Sequence, residues 1–340
     1  MKKTVICLAT ASLMALPLQA QNDTKDAKAF SHLDLSVTMG TTGIGLDLAT
    51  PIISDILQVR TGIEVMPHIE KRLHFDIQSF DVNGKVMETK FDKMADLLEQ
   101  FTGYRADPQV DMVCKPTYWN FKLLFDVFPF RNKHWHLTAG FHWGPSKIGE
   151  AINSLEDVPS LMAVNIYNNI YDQAIQGLPI YQDFTLTGDQ RRKLRDEYGR
   201  MGIRMGTYKN LYLTDVEFDD DGNEMEVFRL DENGNKIPMT YTMVPDKDCT
   251  VSAKAYVNSF KPYLGFGYGG NLSRKDDRYK ISFDAGVMFW GGTPDIITHD
   301  GVNLSKDVTD IGGKVGRYVD LISGVKAFPV LNVRITRRLF

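Results

Sequence analysis

Residues 134–143 read HWHLTAGFHW. In an extended strand, Trp135, Leu137, Ala139, Phe141 and Trp143 share one face, and His134, His136, Thr138, Gly140 and His142 share the other. The first face is apolar with Trp at both ends; the second is polar or small. The distance from Trp135 to Trp143, at roughly 3.3 Å per residue and a tilt of about 40°, is about 20 Å of height, close to the gap between the aromatic girdles of a membrane-spanning strand. A half-buried strand of a soluble sheet also alternates, but nothing in its physics calls for Trp at both ends of its apolar face.

The same alternation recurs outward from this segment. Trp119, Phe121, Leu123, Phe125 and Val127 oppose Asn120, Lys122, Leu124, Asp126 and Phe128, and the short linker Pro129–Lys133 makes the two segments a hairpin. Leu264, Phe266 and Tyr268 oppose Tyr263, Gly265, Gly267 and Gly269. After the short polar turn Ser273–Asp277, Tyr279, Ile281, Phe283, Ala285, Val287 and Phe289 oppose Lys280, Ser282, Asp284, Gly286, Met288 and Trp290. Leu57, Val59, Thr61, Ile63 and Val65 oppose Gln58, Arg60, Gly62, Glu64 and Met66, and Leu331, Val333 and Ile335 oppose Asn332, Arg334 and Thr336. Near the start, Leu33 to Met39 alternate on odd positions and Ile44 to Leu48 on even ones. Gly40-Thr41-Thr42-Gly43 is therefore a tight turn between two strands or a bulge within one.

These segments predict an all-β transmembrane antiparallel barrel of about eight strands, near 33–39, 43–50, 56–66, 118–129, 134–144, 261–270, 279–290 and 328–340. Residues 1–20, with Lys2-Lys3, an apolar run and Leu18-Gln19-Ala20, read as a signal peptide, which leaves 21–340 for the barrel. No later stretch is long and apolar enough for a helical span, and a closed barrel is the other structure that hydrocarbon tolerates. The 340-residue chain has 39 basic and 43 acidic side chains, a balance that excludes a strongly basic nucleic-acid binder. Cys114 and Cys249 remain after the signal, and their pairing is open.

The stretches TTGIGLDLATP (41–51), NFKLLFDVFPF (120–130), HLTAGFHWGPSKI (136–148), KPYLGFGYGG (261–270), ISFDAGVMFWG (281–291) and FPVLNVRITRRLF (328–340) resemble a family of small outer-membrane barrels common in Bacteroidetes and loosely akin to OmpA-type and OmpW-type barrels. The resemblance covers the strands and not the long insertions. It implies residence in the cell outer membrane, contact with outer-membrane lipid and lipopolysaccharide, and a terminal Phe340 read by the barrel-assembly machinery. The apolar set of the last segment runs one residue out of phase with Phe340, and a bulge near Thr336–Arg338 would bring it into line.

The inward faces carry Arg60, Lys122, Lys280 and Arg334 against Asp47, Glu64, Asp126 and Asp284. Opposite charges in a narrow bore are expected to pair across strands, with Asp284, Arg60 and Glu64 as partners for Lys122 and Asp126. Trp119, Trp135, Trp143, Tyr279 and Phe289 are the expected aromatic girdle. His134, His136 and His142 share the lumen face, which favours a polar lining over a metal site, and His142 and Ser146 are too far apart in sequence for a lipid-facing catalytic pair. The turns Asp219–Asn223 and Asp231–Asn235 lack the closing Glu of a calcium loop. No catalytic, metal or cofactor residues are expected.

Long insertions fall at 68–117, 147–258 and 292–326 and short turns between them, so the long ones are expected outside the cell, forming mixed α/β caps. Helical spacing runs through Phe91–Phe101 and is expected near 159–176 and 188–200. The basic run Arg191–Arg195 reads as a solvated face. Function is expected in a narrow or closed barrel with a structural or surface-binding role through its external loops. A small porin or solute-transport barrel is the alternative, and a barrel enzyme acting on lipid a lesser one.

Overall fold

In chain order the strands are β1 (Asp34–Gly40), β2 (Gly43–Ile53), β3 (Leu57–Val65), β4 (Lys71–Asp76), β5 (Gln78–Phe80), β6 (Gln109–Pro116), β7 (Trp119–Val127), β8 (Trp135–Trp143), β9 (Lys147–Asn153), β10 (Arg200–Tyr212), β11 (Thr214–Phe218), β12 (Glu224–Phe228), β13 (Pro238–Met243), β14 (Ser252–Tyr256), β15 (Phe260–Asn271), β16 (Tyr279–Phe289), β17 (Asp295–Thr298), β18 (Val308–Thr309) and β19 (Ala327–Arg338). Among the described residues the longer helices are α1 (Val158–Gln176), α2 (Gly188–Glu197) and α3 (Gly313–Gly324), and a short 3-10 helix, Leu155–Asp157, precedes α1. The structure, a computed structural model, describes residues 29–53, 56–80, 91, 95–96, 99–100, 103, 107–197, 199–218, 224–273, 278–324 and 326–339. The expected signal peptide, the turn at Asp219–Asn223 and Phe340 lie outside these residues, as does much of Phe91–Phe101, of which Phe91 and Ala95 are helical.

Eight strands close into an antiparallel barrel in the order β1-β19-β16-β15-β8-β7-β3-β2. The seam joins β1 to β19 from Asp34↔Arg338 to Gly40↔Asn332. β1 and β2 are separate strands: Gly40 pairs with Gly43, and Thr41-Thr42 is the whole turn. Gly43 has φ of +107°, a region open to glycine, so a turn and not a bulge changes the phase. β2 continues to Ile53 and so reaches 11 residues, three beyond the expected end.

The bulge expected near Thr336–Arg338 is absent. β19 pairs without a register shift from Phe289↔Ala327 to Tyr279↔Arg337. Arg337 keeps the outward phase, with its guanidinium 5.7 Å from the Tyr279 ring centre. At the barrel rim a long cation can leave the apolar belt for water, so no bulge is needed to turn it inward.

The outward face is apolar around the whole circumference. Val37, Leu46, Ile63, Phe125, Leu137, Phe266, Phe283 and Val333, one from each strand, are all 38–61 % exposed. A belt of this extent is far larger than the apolar patches of water-soluble monomers.

The walls rise beyond the belt. β17-β14-β9-β6-β4 form a five-stranded sheet in the neighbour order of β16-β15-β8-β7-β3, the barrel strands they adjoin in the chain. Pro67, Pro116, Gly144-Pro145 and Gly291-Gly292 with Pro294 mark four of the five junctions. Each removes a backbone donor or relaxes φ there and breaks the strand without ending it. Along one row of this sheet, Glu150 pairs in register with Lys115 and with Lys254, and Lys115 Nζ lies 2.8 Å from Glu70.

The cap draws on all three insertions, which share one core. Its core packs Phe75, Val110 and Met112 against Leu161 and Val164 of α1, Met201 and Ile203 of β10, Met243, Ile296 and Val319. α1 buries Leu161, Val164, Asn168 and Tyr171 at three- to four-residue spacing and stops at Gly177, whose φ is +74°. Asp231 accepts backbone hydrogen bonds from Asn233 and Asn235 at 2.9 and 2.7 Å, which makes that acidic segment a turn.

A belt in hydrocarbon predicts that Phe266→Arg, near mid-strand and 51 % exposed, costs about 2–4 kcal/mol of folding into lipid vesicles. The same change on a water-facing surface would cost little, so unaltered vesicle stability would remove the membrane reading.

Candidate functional site

Two layers of charge fill the barrel. Inward alternation on β2, β3, β7, β8, β16 and β19 places Asp47, Arg60, Asp126, His136, Asp284 and Arg334 in the lower one, all at most 6 % exposed. Arg60 grips Asp126 with two nitrogens, Nε to Oδ2 and Nη2 to Oδ1, both at 2.9 Å. Its Nη1 is 3.7 Å from both Asp47 and Asp284. Arg334 Nε lies 3.2 Å from Asp284, its Nη1 3.4 Å from Asp126, and Nε also donates to Ser282 Oγ at 3.0 Å. Thr138 donates to Asp126 at 2.7 Å. His136 Nε2 is 2.9 Å from Asp284 Oδ1 and 3.1 Å from Arg334 Nη2. One ring nitrogen cannot donate and accept at once. Arg334 has other acceptors, so His136 donates its Nε2 proton to the Asp284 carboxylate.

The second layer centres on Glu64, toward the long connections. Its carboxylate accepts from Thr42 Oγ1 at 3.0 Å and Asn120 Nδ2 at 3.1 Å, and lies 2.8 Å from His142 Nδ1. Lys122 Nζ stands 2.8 Å from Asp47 and 3.7 Å from Glu64, so it ties the layers together. Lys261, fully buried, donates to Asn120 Oδ1 at 3.1 Å and Ser259 O at 3.3 Å. His142 Nε2 is buried with no hydrogen-bond partner among the described residues. Leu124, between Lys122 and Asp126 on β7, packs with Tyr263, Met288 and Val330 of β15, β16 and β19 in an apolar plug, backed by Trp290 stacked on Phe328 at 5.0 Å.

Glycines make room for these groups. A Cβ on Gly267 would come within 2.3 Å of both His136 and Asp284, and one on Gly265 within 2.4 Å of the Tyr263 hydroxyl. The inward glycine run of β15 is thus the space that His136, Asp284 and the strand's own Tyr263 fill.

The expected lumen residues divide in two. Arg60, Glu64, Lys122, Asp126, Asp284 and Arg334 are buried inside. Lys280 has the inward phase, but at the short-turn end of β16, opposite Asn271 and Thr336, it is half-exposed and outside the buried layers. Lys261 takes its place in the charge balance. It lies two residues before Tyr263 in the same phase, and extending that alternation backward would have found it. Of the expected partners, Arg60 pairs with Asp126 and Glu64 lies 3.7 Å from Lys122; the carboxylate nearest Lys122 is Asp47, at 2.8 Å, and Asp126 is shared with Arg334 as well. Trp135 and Tyr279 lie outward at the short-turn end, and Trp119, Trp143 and Phe289 outward at the other, all 36–53 % exposed. Phe260 and Tyr268 join them, Tyr268 in edge contact with Trp135 at 4.9 Å.

The three histidines of β8 and its approach go to separate partners, His134 to the Gly269 carbonyl at 2.7 Å, His136 to Asp284 and His142 to Glu64. Cys114 and Cys249 are unpaired thiols. Burial pushes the Cys114 thiol above its ordinary pKa, which keeps it an unreactive thiol. In the cap, the hydrogen bond from Lys115 holds Glu70 below its ordinary value, and those from Lys306 and Asn303 do the same for Asp295.

No family model matches the chain, and no curated protein matches it. Among solved structures it is similar to CarO2 of Acinetobacter baumannii, at 13 % identity over 92 % of this chain and 99 % of that one, with a TM-score of 0.36. It is also similar to a major outer membrane protein from Thermus thermophilus, at 10 % identity over 91 % and 98 %, with a TM-score of 0.28.

Asp126→Ala would remove the carboxylate shared by two buried guanidinium groups and is expected to cost about 3 kcal/mol, read as a lower thermal unfolding temperature of the purified barrel. Lys280→Ala, at the rim, should stay within about 0.5 kcal/mol of the parent. Equal effects would mean that the inner layers are not the barrel's support.

Proposed function

We propose that the chain is an integral outer-membrane β-barrel with a closed lumen, a structural or surface-binding protein that meets its partner through the cap. The reading rests above all on one observation: the bore holds Arg60, Lys122, Lys261 and Arg334 against Asp47, Glu64, Asp126 and Asp284, none more than 6 % exposed. An eight-stranded bore is just wide enough for its own side chains. To open it, ion pairs would have to part in a low-dielectric interior, at a cost of several kcal/mol per uncompensated ion. The apolar belt and its aromatic ends support the membrane setting, and the leader-like start supports export. The alternation of long and short connections supports a cap on the outer side.

Catalysis is not part of the proposal. Glu64 and His142 form an acid–imidazole pair, but what surrounds them is Asn120, Thr42, two ammonium groups and the Tyr263 ring 5.3 Å from His142. No activated nucleophile stands there among the described residues.

Planar-bilayer recording of the intact purified chain should show no steady conductance. Stable unitary steps would establish the porin alternative and overturn the closed-barrel reading. Orientation has a separate check. Tyr181, 72 % exposed in the cap, changed to Cys should react with a membrane-impermeant maleimide on intact cells. Labelling that appears only after permeabilisation would place the cap inside.

A further inference from the structure

The belt is apolar all round but not uniform. Every girdle side chain named above lies on β7, β8, β15 or β16, and so do the belt's Phe121, Phe125, Phe141, Phe266 and Phe283. The other four barrel strands are also neighbours, in the order β19-β1-β2-β3 across the seam. Among the described residues their outward positions hold no aromatic side chain. Phe328 of β19 belongs to the plug, and Phe30, ahead of β1, bonds Pro51 O at the short-turn end. These strands present aliphatic side chains instead: Val37, Met39, Leu46, Ile63, Leu331 and Ile335 are 47–62 % exposed. Their outward positions carry no charge before Arg337 at the rim. β19, β1 and β2 also have no counterpart in the rising wall, and Thr41-Thr42 is the whole connection between β1 and β2. A groove of about 870 Å³ lies on this sector, lined by Leu35, Leu46, Leu48, Thr61 and Ile63 with Phe121 of β7.

We infer that the β19-β1-β2-β3 face binds a second copy of this chain, in a two-fold dimer whose axis stands along the membrane normal beside β1. The inference rests on the membrane reading above. Interfacial Trp and Tyr hold a lipid-facing strand at the headgroups. A face covered by protein meets no headgroups there, and these four adjacent strands lack such anchors. Inside a bilayer no water drives apolar faces together, so association depends on close packing and on small or hydroxyl side chains at the contact. Thr61, mid-strand on β3, puts a hydroxyl in the groove. The groove lies on one side of β1, and the aliphatic row Leu331, Val333 and Ile335 of β19 lies on the other. A two-fold axis between them sets each copy's row against the other's groove, so a single surface satisfies both copies. A different partner would need a feature to select it, and the sector offers no charge for that purpose.

Sedimentation equilibrium of the intact purified chain in density-matched phosphocholine micelles tests this and should give the mass of a dimer. Thr61→Trp fills the groove and should weaken the dimer ten-fold or more. Ala139→Trp, outward on β8 at the far side of the barrel, should leave it unchanged. A monomeric parent, a Thr61→Trp dimer as tight as the parent's, or an equal loss in Ala139→Trp overturns the inference. Recovery from crosslinked cell membranes in complex with a different protein alone does so too. Folding of each variant is checked by heat-modifiable gel mobility. Should Thr61→Trp not fold, Leu331→Ala is expected to weaken the dimer several-fold, and no loss there also overturns it. A chain that folds into phosphatidylcholine vesicles as a monomer would sink this inference and leave the membrane reading standing.

Discussion

A sheet whose outer face is apolar all round can have no free edge, because an unpaired strand in hydrocarbon leaves a row of N–H and C=O groups without partners. In this chain that requirement falls on β1 and β19, which pair from Asp34↔Arg338 to Gly40↔Asn332 across nearly the whole sequence. Ser36 and Thr336 add a hydroxyl contact of 2.8 Å inside the seam. Three long insertions intervene between these strands, so they must fold without disturbing the register. They do so by leaving the barrel at one end, where β4, β6, β9, β14 and β17 prolong its strands and keep their neighbours.

Closure in turn dictates the interior. Eight strands leave a bore about as wide as the side chains that fill it, and alternation makes those side chains polar. Buried ions are costly unless they are paired and their remaining hydrogen-bonding sites are met. The two layers meet that condition by sharing. Asp126 serves Arg60 and Arg334, Asp47 lies between Arg60 and Lys122, and Glu64 collects Lys122, His142, Asn120 and Thr42. With neutral imidazoles the four cations and four carboxylates of the two layers balance, and a fifth buried carboxylate, Asp34, lies beside Arg338 at the short-turn end. Glycines on β15 supply the room, and Tyr263, Met288 and Val330 seal the facing wall. A filled bore moves any binding role to the surfaces outside it.

The barrel was legible in the sequence because its chemistry is local and periodic. Trp135 to Trp143 carry both girdles and the alternation within a single strand, and the inward phase of Arg60, Glu64, Asp126 and Asp284 follows by counting in twos. Composition and spacing also set aside nucleic-acid and helical-span readings. What the sequence could not carry was any fact that depends on two distant segments meeting. Strand register decided that Asp47, rather than Asp284, faces Lys122, and that Lys261 lies inside while Lys280 lies at the rim. Continuity of hydrogen bonding through β19 decided that Arg337 points outward without a bulge. That the cap continues the barrel walls was hidden for the same reason. Pro67, Pro116, Gly144-Pro145 and Gly291-Gly292 read locally as strand ends, and only neighbouring strands resuming in the same order beyond them turn those breaks into kinks in one rising wall.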